Sequence, residues 1–221
     1  MADPALRKTF GQGGFVLAPG VYDMISALIA DRAGFDALYV TGYGVAASHL
    51  GLPDAGLATY TDMLARVSAI AEGTTTPVIA DADTGYGGLL NVRHTVRGYE
   101  RAGVTGIQIE DQEFPKKCGH TDGRRVIPAD EMVRKIQVAL EARQSDDLLI
   151  IARTDSRTAL GLDEALRRAA AYAAAGADLI FVESPENEGE LRRIAAEIDR
   201  PLGLPGSLIV LQRILSSRPF R

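Results

Sequence analysis

The sequence predicts an α/β fold built on a parallel sheet, and three observations carry that expectation. One short unit occurs three times, as Ala33-Gly34-Phe35-Asp36-Ala37-Leu38-Tyr39-Val40, Ala102-Gly103-Val104-Thr105-Gly106-Ile107-Gln108-Ile109 and Ala175-Gly176-Ala177-Asp178-Leu179-Ile180-Phe181-Val182. Each copy follows a helical pattern and puts glycine where the helix ends, which supplies a left-handed cap. The apolar run after it reads as a parallel strand buried on both faces. Such strands alternate with helices of matching length, the signature of βα units. Polar residues stand at the end of almost every strand, as a (β/α)8 barrel of the TIM type requires, because its site collects side chains from many strand ends. An open doubly wound sheet is the competitor, but no Gly-x-Gly-x-x-Gly loop opens the first unit.

In chain order, strands are expected at Phe15–Ala18, Leu38–Val40, Pro77–Ala80, Gly106–Ile109, Leu148–Ala152 and Leu179–Val182. Amphipathic helices are expected near residues 22–33, 60–72, 91–102, 129–142, 163–175 and 187–197. That makes about six βα units, so the barrel is expected to be incomplete. At 221 residues the chain can bury one sizeable core. With 29 acidic against 24 basic residues, no nucleic-acid surface is indicated. A single cysteine excludes an internal disulfide and suits a reducing compartment. Met1-Ala2-Asp3-Pro4 has no apolar core of signal-peptide type, and no run approaches membrane-spanning length. The expectation is a cytoplasmic protein with neither membrane nor nucleic-acid partners.

The cysteine lies in Lys116-Lys117-Cys118-Gly119-His120, a polar loop containing Pro115. A structural cysteine belongs in an apolar run. A thiol flanked by two lysines and a histidine is placed for chemistry, since nearby cations favour its charged form.

Carboxylates gather at strand ends. Asp81 and Asp83 are two residues apart as a strand finishes, so both should point to one side. A divalent cation would neutralise them, and oxygen ligands favour Mg2+ or Mn2+ over zinc. Glu110 ends the next strand, two residues after Gln108, and could complete the site. Asp83 is also open to a simpler reading as the cap of the following helix. Glycines 85, 87 and 88 would let backbone approach a ligand. Tyr39 and Thr41 should share a face, although an ordinary core tyrosine is an equal reading of Tyr39. Arg153, in Ile150-Ile151-Ala152-Arg153, needs a partner if buried, either Asp155 or a substrate carboxylate, and Glu183 could orient it. His94 sits on a helix pattern as a packing or surface residue, and His49 has no assigned role. Most other arginines, Arg124 and Arg168 among them, are expected on solvated helix faces.

The Lys-Lys-Cys-Gly-His loop is similar to that of the isocitrate lyase/phosphoenolpyruvate mutase superfamily, in its carbon–carbon lyase branch. Tyr39–Ser48, Gly51–Asp54, Asp81–Gly87 and Ala152–Asp155 carry the same resemblance, which runs from about residue 10 to about residue 200. It implies a TIM barrel with Mg2+ (or Mn2+) surrounded by Asp54, Asp81, Asp83 and Glu110. It implies that Thr41, Gly42 and Tyr43, with Gly119, Arg153 and Glu183, hold the substrate. Tyr43 departs from the serine and small glycines usual there. Cys118 is implied as acid/base in a catalytic group with Tyr39, Lys117 and His120, the last two tuning the thiol and holding a second carboxylate. The loop over residues 112–124 is implied to close over the substrate. The reaction implied is cleavage of a small 2-hydroxy di- or tricarboxylate, of 2-methylisocitrate or 2,3-dimethylmalate type, to a 2-oxo acid and a second carboxylate. The alternatives are a phosphonate-forming mutase of the same superfamily (phosphoenolpyruvate mutase or carboxyvinyl-carboxyphosphonate phosphorylmutase), a catalytically dead barrel fragment, and a regulatory binder of small acids. Relatives are homo-oligomers, tetramers among them.

The resemblance divides the chain into a lyase domain, residues 1–200, and a divergent tail, residues 201–221. A seventh strand is expected to begin at Pro201-Leu202, but Pro205 follows where relatives carry asparagine, and proline is poorly tolerated in a central strand. A truncation or frameshift would explain the change, with natural divergence of the tail as the alternative. A barrel short of two strands is expected to expose unpaired edges.

Overall fold

The computed structural model describes residues 2–204 and 208–212. Helix α1 (Ala5–Gly11) precedes β1 (Phe15–Val21), α2 (Met24–Ala33) and β2 (Leu38–Val40). Helix α3 (Gly42–Val45) runs into a π-helical turn at Ala46–Leu50, followed by α4 (Tyr60–Gly73), β3 (Val78–Asp81), α5 (Leu89–Arg101) and β4 (Gly106–Glu110). The second half contains α6 (Ala129–Ala142), β5 (Leu149–Thr154), α7 (Ser156–Leu160), α8 (Leu162–Ala174), β6 (Leu179–Val182) and α9 (Glu188–Glu197), then β7 (Leu202–Leu204) and β8 (Leu208–Gln212).

Strands β1 to β7 pair in parallel, each with the next. Strand β8 runs antiparallel to both β7 and β1, placing Phe15 opposite Gln212 and Pro19 opposite Leu208, and so closes the ring. The fold is an incomplete TIM-type barrel: six βα units and a seventh parallel strand, with an antiparallel strand in place of the eighth unit. The open edges expected from the sequence are paired, because β8 bonds to both β7 and β1. Pro205 lies outside the described residues.

The repeated glycines do what their position implies. Gly34, Gly103 and Gly176 have φ of +77°, +92° and +104°, a region a side chain would strain. Helix starts are fixed by reciprocal caps: Asp23 with Ser26 opens α2, and Thr59 with Asp62 opens α4. Asp83 does not cap a helix, since α5 begins six residues later, after its N-cap Gly88.

Period-two alternation positions the site. Along β5, Ile150 and Ala152 join the layer under the helices, whereas Leu149 and Ile151 fill the barrel interior with Val16, Ile79 and Phe181. Leu6 and Phe10 of α1 pack into that interior cluster beside Leu149 and Leu179, plugging the end where the strands begin. The inward series then turns polar toward the other end: Tyr39 to Thr41, Ile79 to Asp81, Gln108 to Glu110, Ile151 to Arg153, Phe181 to Glu183. The site can therefore form only at the carboxyl ends of the strands.

Candidate active site

Those inward residues meet in a pocket of about 130 Å3. The barrel contributes Tyr39, Thr41, Asp81, Arg153, Phe181 and Glu183, and the loops add Tyr43, Asp54, Lys116, Cys118, Gly119 and His120. Ten of the fourteen residues singled out in the sequence thus line one cavity. Asp83 and Glu110 lie buried just behind it. Gly42 donates its N–H to Asp81 Oδ2 at 3.2 Å, and a Cβ there would come within 2.9 Å of the same oxygen. Lys117 is not brought to the pocket: its ammonium donates to the carbonyls of Gly123 and Asp122, at 3.2 and 3.4 Å.

The lysine that does face the acids is Lys116, only 3% exposed, with its Nζ 2.6 Å from Asp54 Oδ1 and 2.7 Å from Asp83 Oδ1. Burial alone would lower its pKa, but Asp83, Glu110 and Asp81 override it and hold the group above the ordinary lysine range. The sequence held a signal for this residue. Alternate side chains of an extended segment share a side, so a pocket-facing Cys118 brings Lys116 with it, not Lys117.

Arg153 is surrounded by carboxylates. Its Nε and an η-nitrogen donate to the two oxygens of Asp155 at 2.8 and 2.9 Å, while Glu183 and Glu110 stand at 3.3 and 3.5 Å. Its guanidinium also lies 5.5 Å from the centre of the Phe181 ring. Burial pushes Asp155 up, yet Arg153 and then Arg124 hold it below the usual carboxylate range. Burial wins at Glu110, which rises well above its ordinary value against the opposing charge of Arg153. It also wins at Asp83, pushed up to about 7 although Lys116 opposes it. Tyr39 accepts from Gln108 Nε2 at 2.7 Å, and burial followed by the charge of Asp81 keeps its hydroxyl protonated.

Two arginines expected on solvated faces are buried instead. Arg124 donates to Asp155 Oδ1 (2.8 Å), Thr158 (2.5 Å) and Ser184 (3.2 Å), anchoring the end of the cysteine loop to β5 and β6. Arg168 joins Thr154, Tyr172 and the Asp155 backbone N–H around the fully buried Asp111. Burial raises the Asp111 pKa and these donors oppose the rise. Periodicity could not identify either arginine, because the buried aspartates they pair with, Asp155 and Asp111, are more than 30 residues away. Of the other histidines, His94 packs on Tyr60 (centroids 4.8 Å apart) and His49 contacts Arg66 and Asp62.

The loop of residues 112–124 lies over the pocket. Gln112 clamps Lys117 by side-chain bonds to its N–H and carbonyl, the Cys118 N–H donates to the Asp54 carbonyl at 3.0 Å, and Ser184 donates to the Gly119 carbonyl at 3.1 Å. Cys118 Sγ lies 3.9 Å from His120 Nδ1.

The donors suit a hard divalent cation in type and charge. Asp54, Asp81, Asp83 and Glu110 offer only oxygens; Glu110 Oε1 is buried without a hydrogen-bond donor, and Asp83 Oδ1 has the Lys116 ammonium at 2.7 Å. Among the described residues no three acidic, histidine or cysteine side chains converge as they would around an ion. Lys116 fills the space between Asp54 and Asp83.

Residues 6–212 match the family model described as phosphoenolpyruvate phosphomutase. The chain belongs to the phosphoenolpyruvate mutase/isocitrate lyase superfamily. Among curated members it is 55% identical over 189 residues to 2,3-dimethylmalate lyase of Eubacterium barkeri, covering 86% of this chain and 65% of that protein. It is 46% identical over 197 residues to 2-methylisocitrate lyase of Aeropyrum pernix, covering 89% and 63%. The chain thus spans a little under two thirds of these relatives. Solved superfamily structures superpose closely. One of 2,3-dimethylmalate lyase gives a TM-score of 0.88 at 43% identity, covering 91% of this chain and 69% of that one. Phosphonopyruvate hydrolase in complex with oxalate and Mg2+ gives 0.84 at 33%, covering 92% and 72%. No helix among the described residues is long and apolar enough to cross a membrane.

Proposed function

We propose that this chain carries the site of a Mg2+-dependent carbon–carbon lyase. Its substrate would be a small 2-hydroxy di- or tricarboxylate of the 2-methylisocitrate or 2,3-dimethylmalate type, cleaved to a 2-oxo acid and a second carboxylate. The observation that carries the reading is that Cys118 and His120 share a pocket with Asp81, Arg153 and Glu183. A phosphoryl-transferring site has no use for a thiol acid in that position.

Mg2+ (or Mn2+) held by Asp54, Asp81, Asp83 and Glu110 would act as a Lewis acid on the hydroxyl-bearing end of the substrate. In the proposed step, a base takes the C2 hydroxyl proton, the oxygen electrons form the new C=O, and the C–C pair passes to the distal fragment as a carbanion. Cys118, partnered by His120, protonates that carbon. Tyr39, kept protonated, donates to an oxyanion. Thr41, Gly42, Tyr43 and Gly119 bound the carboxylate end. Arg153, oriented by Asp155 and Glu183, supplies the positive charge facing the substrate. Lys117 maintains the shape of the loop, which excludes water while the carbanion exists. The site-bearing domain is residues 1–200 in this reading, with the ring closed by strands from the tail. The relatives' behaviour extends it to a homo-oligomer, and the free thiol to a cytoplasmic setting.

The test is Mg2+-dependent oxo-acid release from 2-methylisocitrate, 2,3-dimethylmalate and isocitrate, run beside Cys118→Ser. Turnover abolished by EDTA and by the substitution supports the lyase. No release from a cooperatively folded chain refutes it. Phosphonopyruvate turnover indifferent to Cys118→Ser would transfer the assignment to phosphorus–carbon chemistry.

A further inference from the structure

Lys116 stands where a divalent cation would be most useful, 2.6 and 2.7 Å from oxygens of Asp54 and Asp83 and shielded from solvent. An ammonium and a divalent ion cannot share that space, since like charges a few ångströms apart in a weakly screened interior repel strongly. Asp54 also touches the cysteine loop twice. Its carboxylate binds Lys116 and its carbonyl accepts from the Cys118 N–H at 3.0 Å. Between these contacts lies Lys117, held at both its N–H and its carbonyl by Gln112. The Lys116 side chain is thus a tether between the acids and the segment that presents the thiol.

We propose that Lys116 is the site's resident counter-ion, and that a divalent cation binds by expelling its ammonium, shifting the Cys118 segment as it does so. The inference rests on the metal site of the reading above and adds what that reading does not contain: an internal competitor for the ion, and coupling between ion binding and the thiol. The acids are partly neutralised in both states, by an ammonium or by the metal, so the buried cluster is never left with its full negative charge. Glu110 Oε1, buried and without a donor, is an oxygen the ammonium does not satisfy and an incoming ion could.

The experiment titrates the full chain with Mn2+ by calorimetry, wild type against Lys116→Gln, and follows the rate of Cys118 alkylation by iodoacetamide with and without Mn2+. Removing the competitor should tighten Mn2+ binding by about tenfold or more. Mn2+ should change the alkylation rate severalfold in the wild type and leave it unchanged in Lys116→Gln. Equal or weaker Mn2+ binding by a cooperatively folded variant, or a wild-type thiol indifferent to bound Mn2+, overturns the displacement while leaving the metal site standing. Absence of Mn2+ binding in both proteins removes the metal site as well. Should the variant not fold, the wild-type alkylation result decides alone.

Discussion

Asp111 is the residue whose removal should be most informative about what holds the site in shape. It is fully buried and accepts four donors: Thr154 Oγ1 at 2.8 Å, the Asp155 N–H at 2.9 Å, Tyr172 OH at 2.7 Å and an Arg168 η-nitrogen at 3.1 Å. In Asp111→Ala, Thr154 can turn to Ser156, 2.8 Å away, and Arg168 keeps Glu164 and the Ile127 carbonyl. The Asp155 N–H and Tyr172 OH have no such refuge. Two stranded buried donors at about 1–3 kcal/mol each, with loss of a charge-assisted bond worth about 1.5–3 kcal/mol, give about 3.5–9 kcal/mol. That is a large fraction of the roughly 5–15 kcal/mol that holds a typical domain together. Asp111→Asn keeps one acceptor and should cost about half as much. Equilibrium unfolding in urea, followed by circular dichroism, reads both. Since Asp155 aligns Arg153 and Arg124, the folded fraction of Asp111→Asn should also bind a dicarboxylate more weakly. A cost below about 1 kcal/mol for Asp111→Ala would refute the network argument.

Gly119→Ala should leave the fold intact and abolish most turnover, because its Cβ would collide with the Arg153 guanidinium and come within 2.9 Å of Glu183 Cδ; wild-type kcat/KM would disprove this. Arg153→Lys cannot make the paired bonds to Asp155, and should weaken substrate binding and lower the unfolding midpoint together. Glu164, bonded to Arg167 and Arg168, is held down to about 2 from 4.5, so its pairing stabilises the fold above about pH 4.5 and is lost as pH falls toward 2. The stability gap between wild type and Glu164→Gln should therefore stay constant near neutrality and shrink through that acid window, as thermal unfolding at a series of pH values would show.

Where local chemistry alone determines structure, the sequence was legible. The repeat glycines are the left-handed caps they were read as, and the six strands and long helices fall within a few residues of their expected ends. Inward alternation put Thr41, Arg153 and Glu183 at the pocket. Short elements escaped, since α1, α3 and α7 carry too few residues for a helical period to show. Asp81 and Asp83 face a common partner region for a reason other than the expected one: β3 ends at Asp81, and Asp83 adopts a positive φ of 46°. The acids' observed counter-ion was legible only through the alternation that puts Lys116 on the side of Cys118, since composition does not separate it from Lys117. Arg124 and Arg168 were hidden because burial of a charge depends on partners supplied by distant strands.

The antiparallel closure has a consequence for how the chain is made. Residues 15–19 of β1 reach their second neighbour only when residues 208–212 are available, a separation of nearly two hundred positions. During synthesis from the amino terminus, β1 therefore waits with one row of backbone donors and acceptors unmatched while the other five βα units assemble beside it. So distant a contact is slow to form, because its loop entropy must be met before any bond rewards it. Closure of the ring should then be the late event in folding, and a nascent chain held short of residue 208 the species most in need of a chaperone.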